Sequence, residues 1–141
     1  MSNSKSQKNS KTYLKEQIDL LVADLRYPSE SDEKIEFFEI LDTVAEISTE
    51  NFKTFIGKSE ETAIQTMDLE LFFEPLTRTE EWFTDEEAQW AEDSLKLKTV
   101  LKKKLQDLQV FRVGETEIEV FVIGKTEAGE WIGIKTLLIE T

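Results

Sequence analysis

Residues 109–141 constrain the fold more than any other stretch. Ile118, Val120 and Val122 alternate with Glu117, Glu119 and Phe121, the period of two that sets successive side chains on opposite faces of a strand. Val110, Phe111 and Val113 form a shorter run before them, and Gly114 interrupts it where a turn needs permissive dihedrals. Gly124 is expected to end the second run, with Glu127 to Glu130 as a hairpin loop and Trp131 to Ile139 as a third strand. The three runs predict an antiparallel meander. The chain stops directly afterwards at Glu140-Thr141, where termini ordinarily fray unless tied down. One reading is a plain edge strand that ends where its pairing ends. The other is a terminus presented on a rigid base, because Leu137, Leu138 and Ile139 anchor the strand.

Helical periodicity precedes the meander. Leu14, Ile18, Leu21, Val22 and Leu25 fall on one stripe and predict a helix over about 12–25, with Pro28 helping to stop it. Ile35 to Leu41 reads as a strand, with Ile35 and Phe37 on one face and Phe38 and Ile40 on the other. Thr49 is expected to cap a short helix carrying Phe52, Phe55 and Ile56, stopped at Gly57. Met67, Leu69 and Leu71 alternate with Asp68 and Glu70, so 64–71 reads as a half-buried strand. Thr79 to Phe83 reads as one helical turn presenting the Trp82-Phe83 pair. Thr84 and Glu87 then form a capping box that opens the longest helix, to about Asp107. Trp90, Ser94, Leu97, Leu101, Leu105 and Leu108 track its apolar face, with Ala91 and Leu95 widening it. Its acids fill the first half and its lysines the second, an order that complements the helix dipole. Mixed helices and a mainly antiparallel sheet make this an α+β chain.

At 141 residues the chain is expected to form one domain, spanning 12–141. Residues 1–11 are rich in Ser, Lys and Asn and read as a disordered basic tail. Cysteine and histidine are both absent, which excludes a disulfide scaffold, the common zinc sites and every Ser-His or Cys-His nucleophile pair. No phosphate-cradling loop, dinucleotide fingerprint or metal-ligand spacing is present. The chain therefore reads as a non-enzyme without cofactor. It has no apolar run of membrane length and no signal peptide, so the expected compartment is the cytoplasm. The formal net charge is −13, which repels nucleic acid and steers basic partners toward the surface.

Several blocks carry a resemblance. Trp82-Phe83-x-Asp85-Glu86-Glu87, the long helix after it, Gln109 to Glu115, Val120 to Gly129, Gly133-Ile134 and Glu140-Thr141 are similar to the nuclease A inhibitor family. Ser29-Glu30-Ser31-Asp32 and Asp68 ahead of Phe72-Phe73 fit it as well; 37–66 has drifted, and a bulky Trp131 sits on the last hairpin. The resemblance implies a single-domain α/β/α sandwich. It implies an inhibitor that blocks the active site of a sugar-non-specific DNA/RNA endonuclease with an acidic, DNA-mimicking surface, as a monomer in a 1:1 complex. Carried over by position, Glu30 would meet a basic side chain of the enzyme, and Trp82 with Glu81 beside it would pack at the interface. Glu140 and Thr141 would reach toward the catalytic magnesium, with Thr141 as a ligand in trans; the chain has no metal site of its own. The residues alone leave Trp82 open between interface and core. They also allow an acidic adaptor on the same fold that binds another basic protein.

Overall fold

The computed structural model describes residues 10–28 and 32–139. Its centre is the meander: β3 (Gln106–Val113), β4 (Glu117–Lys125) and β5 (Trp131–Ile139). Two strands from earlier in the chain, β1 (Glu36–Ile40) and β2 (Ile64–Met67), complete an antiparallel sheet of order β1-β5-β4-β3-β2. β5 is therefore not an edge strand. It pairs with β4 along its whole length, from Trp131 opposite Lys125 to Ile139 opposite Glu117. On its other side β1 covers only Trp131 to Lys135.

Among the described residues four helices cover the two faces of this sheet, and the result is the three-layered α+β sandwich that the resemblance implied: α1 (Ser10–Val22), α2 (Thr49–Phe55), α3 (Leu69–Thr77) and α4 (Asp85–Lys104). On one face, Leu14 and Ile18 of α1, Phe72 and Phe73 of α3, and Leu97 and Leu101 of α4 pack onto Val120, Val122, Ile132 and Ile134. The opposite face is covered by α2 and the stretch before it. Phe38, Phe52, Phe111 and Phe121 stack there with ring centroids 4.6 to 6.2 Å apart, the offset and edge-on geometries that aromatic quadrupoles favour. Trp131 is buried in this second cluster, and its indole N–H donates to the Val44 carbonyl at 2.9 Å.

Several boundaries differ from the sequence expectation. Ser48, not Thr49, caps α2, in a reciprocal box with Asn51. The strand expected over 64–71 stops at Met67. Asp68 accepts from the Glu70 amide at 2.7 Å and starts α3 instead, with Phe72 and Phe73 buried in the helix. α4 ends at Lys104, and Leu105 turns into β3, so Leu108 lies in a strand. Leu95 is 53% exposed and does not widen the buried face. Gly124 continues β4, opposite Ile132, where a β-carbon would come within 2.7 Å of the Leu105 side chain. The Thr84–Glu87 capping box forms as expected.

Candidate partner-binding surface

The connection between α3 and α4 builds one wall of a groove. Arg78 leaves α3 with extended dihedrals and sits 3.6 Å from Glu74 and 3.9 Å from Glu80. The Phe83 amide then donates to the Glu80 carbonyl at 3.1 Å. This single tight turn replaces the helical turn expected over 79–83. It pushes Trp82 into solvent, 75% exposed, while Phe83 folds back half-buried. Glu81 is exposed beside it. Trp82 belongs to neither core cluster.

The facing wall comes from the other side of the sequence. After α1, the Tyr27 amide donates to the Glu33 carbonyl at 2.8 Å, and Arg26 and Lys34 form an isolated antiparallel bridge. Residues 26–28 and 32–34 thus run antiparallel as the two sides of a narrow ribbon. Tyr27 holds it to α3: its ring stacks on Phe72 at 4.8 Å, and its buried hydroxyl donates to the Phe72 carbonyl at 2.6 Å. Burial pushes the Tyr27 phenol up to about 12. Pro28 and Asp32 of this ribbon, with Arg26, face Trp82, Phe83 and Trp90 across a groove of about 500 Å³. Its floor includes Leu76, Ala91 and Ser94. Ser94 is fully buried, and its hydroxyl has no hydrogen-bond partner among the described residues.

The ribbon also touches the end of β5. Past Lys135, where β1 stops pairing, the Thr136 hydroxyl donates to the Lys34 carbonyl at 2.8 Å. The far end of β5, the ribbon and the Trp82 turn are therefore joined through a short chain of contacts at one end of the molecule. Of the residues that the resemblance implicates, Glu81 and Trp82 are brought to this end. Glu30, Glu140 and Thr141 lie outside the described residues; their described neighbours, Pro28, Asp32 and Ile139, stand on the ribbon and on β5.

A family model described as nuclease A inhibitor-like protein matches residues 12–141. The chain belongs to that family. No curated protein matches it significantly. The nuclease A inhibitor-like assignment spans both walls of the groove and the whole of β5. In this member the groove is edged by carboxylates of Asp32, Glu80 and Glu87 and by the guanidinium groups of Arg26 and Arg78. Three acids, Asp85, Glu86 and Glu87, occupy the first turn of α4 beside it. Among the described residues, no group of three or more His, Cys, Asp or Glu side chains is arranged to hold a metal ion. No helix among the described residues is long and apolar enough to cross a membrane. Sequence reasoning found the aromatic turn and missed Arg26 and Arg78, which fall in no periodic pattern. It placed Trp90 and Ser94 on a buried helix face, and both line the groove.

Proposed function

We propose that this protein inhibits a sugar-non-specific DNA/RNA endonuclease by occupying its active site, one inhibitor to one enzyme. The observation that carries this reading is the meeting of the Trp82 turn, the ribbon bridged by Arg26 and Lys34, and the end of β5 at one acidic end of a nuclease A inhibitor-like chain. A nuclease groove is basic because it neutralises phosphates. Carboxylates dispersed around an exposed tryptophan match such a groove in charge, and charge complementarity sets register and association rate. In this reading Glu30 meets a basic side chain of the enzyme, and Trp82, with Glu81 beside it, packs at the interface as the apolar anchor. Glu140 and Thr141 extend from β5 toward the magnesium of the enzyme. Carboxylate and hydroxyl oxygens are natural ligands for that hard cation, and Thr141 supplies both. The sheet pairing of β5 through Ile139 supports this role, because a rigid base lowers the entropy lost when two donors dock.

The test is a nuclease assay titrated with the full chain and with a variant lacking Thr141. The full chain is expected to inhibit at stoichiometric concentration. The truncated chain is expected to inhibit less, and the deficit to shrink for binding measured without magnesium. Inhibition by the truncated chain equal to that of the parent, with magnesium present, removes Thr141 from the mechanism. No inhibition by either chain overturns the proposal and favours an adaptor for another basic protein.

A further inference from the structure

α1 and α4 lie side by side and antiparallel over one face of the sheet, with a shallow furrow between them. Leu20, Leu21, Leu95 and Val100 line one part of it; Tyr13 and Lys103 face each other farther along. Leu20 is 80% exposed and Leu95 53%. Neither belongs to a core cluster or to the groove beside Trp82. Two large apolar side chains set together on an outer helical face mark an interaction surface more often than two scattered ones.

The charges around this patch are complementary to themselves. On the exposed arc of α4, Asp85 and Glu92 precede Leu95, whereas Lys96 and Lys103 flank and follow it. Their spacings are seven, four and seven residues, which keep all four on one side of a helix. Asp85 and Lys103 stand equally far along the helix from Ser94, as do Glu92 and Lys96. A twofold axis crossing α4 at that level reverses the helix and superposes acid on base.

The geometry points to a second copy of this chain on the α1–α4 face, with α4 packed antiparallel on α4 of the second copy. Leu95 and Leu20 then meet their own counterparts. Glu92 faces Lys96 of the second copy and Asp85 faces its Lys103, each contact made twice, as an isologous interface requires. Glu92 and Lys96 already pair within the helix at 3.6 Å, so the axis closes them into a ring of four alternating charges. The patch is small against the ~1,200–2,000 Å² of a stable interface, so the association is weak and reversible. The groove beside Trp82 involves a different set of residues and stays open in each copy.

Sedimentation equilibrium of the full chain, at about 0.15 M salt where long-range repulsion is screened, tests this. A monomer–dimer equilibrium is expected below roughly 1 mM, a weak-complex range. Leu95→Glu is expected to raise the dimer dissociation constant at least about tenfold, with an unchanged circular-dichroism melting curve because the side chain is exposed. Glu92→Lys alone and Lys96→Glu alone are each expected to dimerise more weakly than the parent. Their equimolar mixture is expected to associate more strongly than either, because both opposed pairs regain opposite charge. A monomeric mass throughout the concentration range overturns the inference. So does a dimer that survives Leu95→Glu, or a mixture no more associated than its separate components.

Discussion

The Thr136 hydroxyl donates to the main-chain carbonyl of Lys34 at 2.8 Å, one residue beyond the last pair between β1 and β5. A side chain thus takes over where the ladder stops, and it fastens the ribbon bridged by Arg26 and Lys34 to the strand that precedes Glu140 and Thr141. Thr136→Val keeps the shape of the side chain and removes the donor. A partly buried carbonyl losing its partner costs about 1–3 kcal/mol. The urea midpoint is expected to fall accordingly with an unchanged m-value, and the amides of Leu137 to Ile139 to exchange faster with solvent.

Trp82 stands 75% exposed on its turn, so Trp82→Ala is expected to leave thermal stability within about 0.5 kcal/mol of the parent. In the proposed complex it is the central aromatic anchor. Loss of such an anchor weakens binding by about 2 kcal/mol or more, roughly a thirtyfold rise in the inhibition constant. The measurement is a melting curve beside a nuclease titration. A lower melting temperature with unaltered inhibition by the folded fraction would return Trp82 to a structural role.

Tyr27 gives a pH signature. Burial raises its phenol from 10.0 to about 12 in the folded state. Between those values the folded chain keeps a proton that the unfolded chain releases, so stability falls as pH rises through this window. Tyr27→Phe removes this contribution. The variant is expected to be less stable than the parent at neutral pH, by about 1–3 kcal/mol for the lost hydrogen bond to Phe72. The gap is expected to narrow above pH 10. Urea denaturation of both chains at neutral pH and near pH 11 checks it; a constant gap would exclude a raised Tyr27.

Gly133 pairs with Ile123 in the middle of the sheet. A β-carbon at this position would fall 1.7 Å from the Val122 carbonyl oxygen. Backbone, not a flexible side chain, is in the way, so the two central strands would have to separate. Gly133→Ala is expected to cost at least the ~1–3 kcal/mol of ordinary overpacking, measured by chemical denaturation of the soluble variant.

The sheet was legible because its strands alternate where one face meets each cluster. Ile35 and Phe37 do face one core and Phe38 and Ile40 the other, as the period of two required. The boundaries were less legible where two signals overlapped. Met67 to Leu71 alternate like a strand, but Asp68 captures the Glu70 amide and the alternation beyond it is incidental; Leu71 ends 64% exposed. Asn51 closes the α2 box where Glu or Gln is the usual signal, so Thr49 seemed as good a cap as Ser48. No glycine or proline marks the end of α4, and the turn into β3 left no trace in composition. At the candidate site the Trp82-Phe83 pair announced one wall. The opposite wall is set by the Arg26–Lys34 bridge and by Tyr27 reaching Phe72, contacts between distant segments that periodicity does not encode.

The position of β5 between β1 and β4 also sets an order of events during synthesis. β1 is made early, yet among the described residues its one neighbour in the sheet is the fifth strand in sequence. Until Trp131 to Lys135 have left the ribosome, Phe37 and Phe38 have no ladder to join. Contacts of such long sequence separation form late, after the loop entropy between them has been lost. The protein therefore closes its sheet only once β5 has been made, and a nascent chain cut short before β5 leaves β1 without its place in the fold.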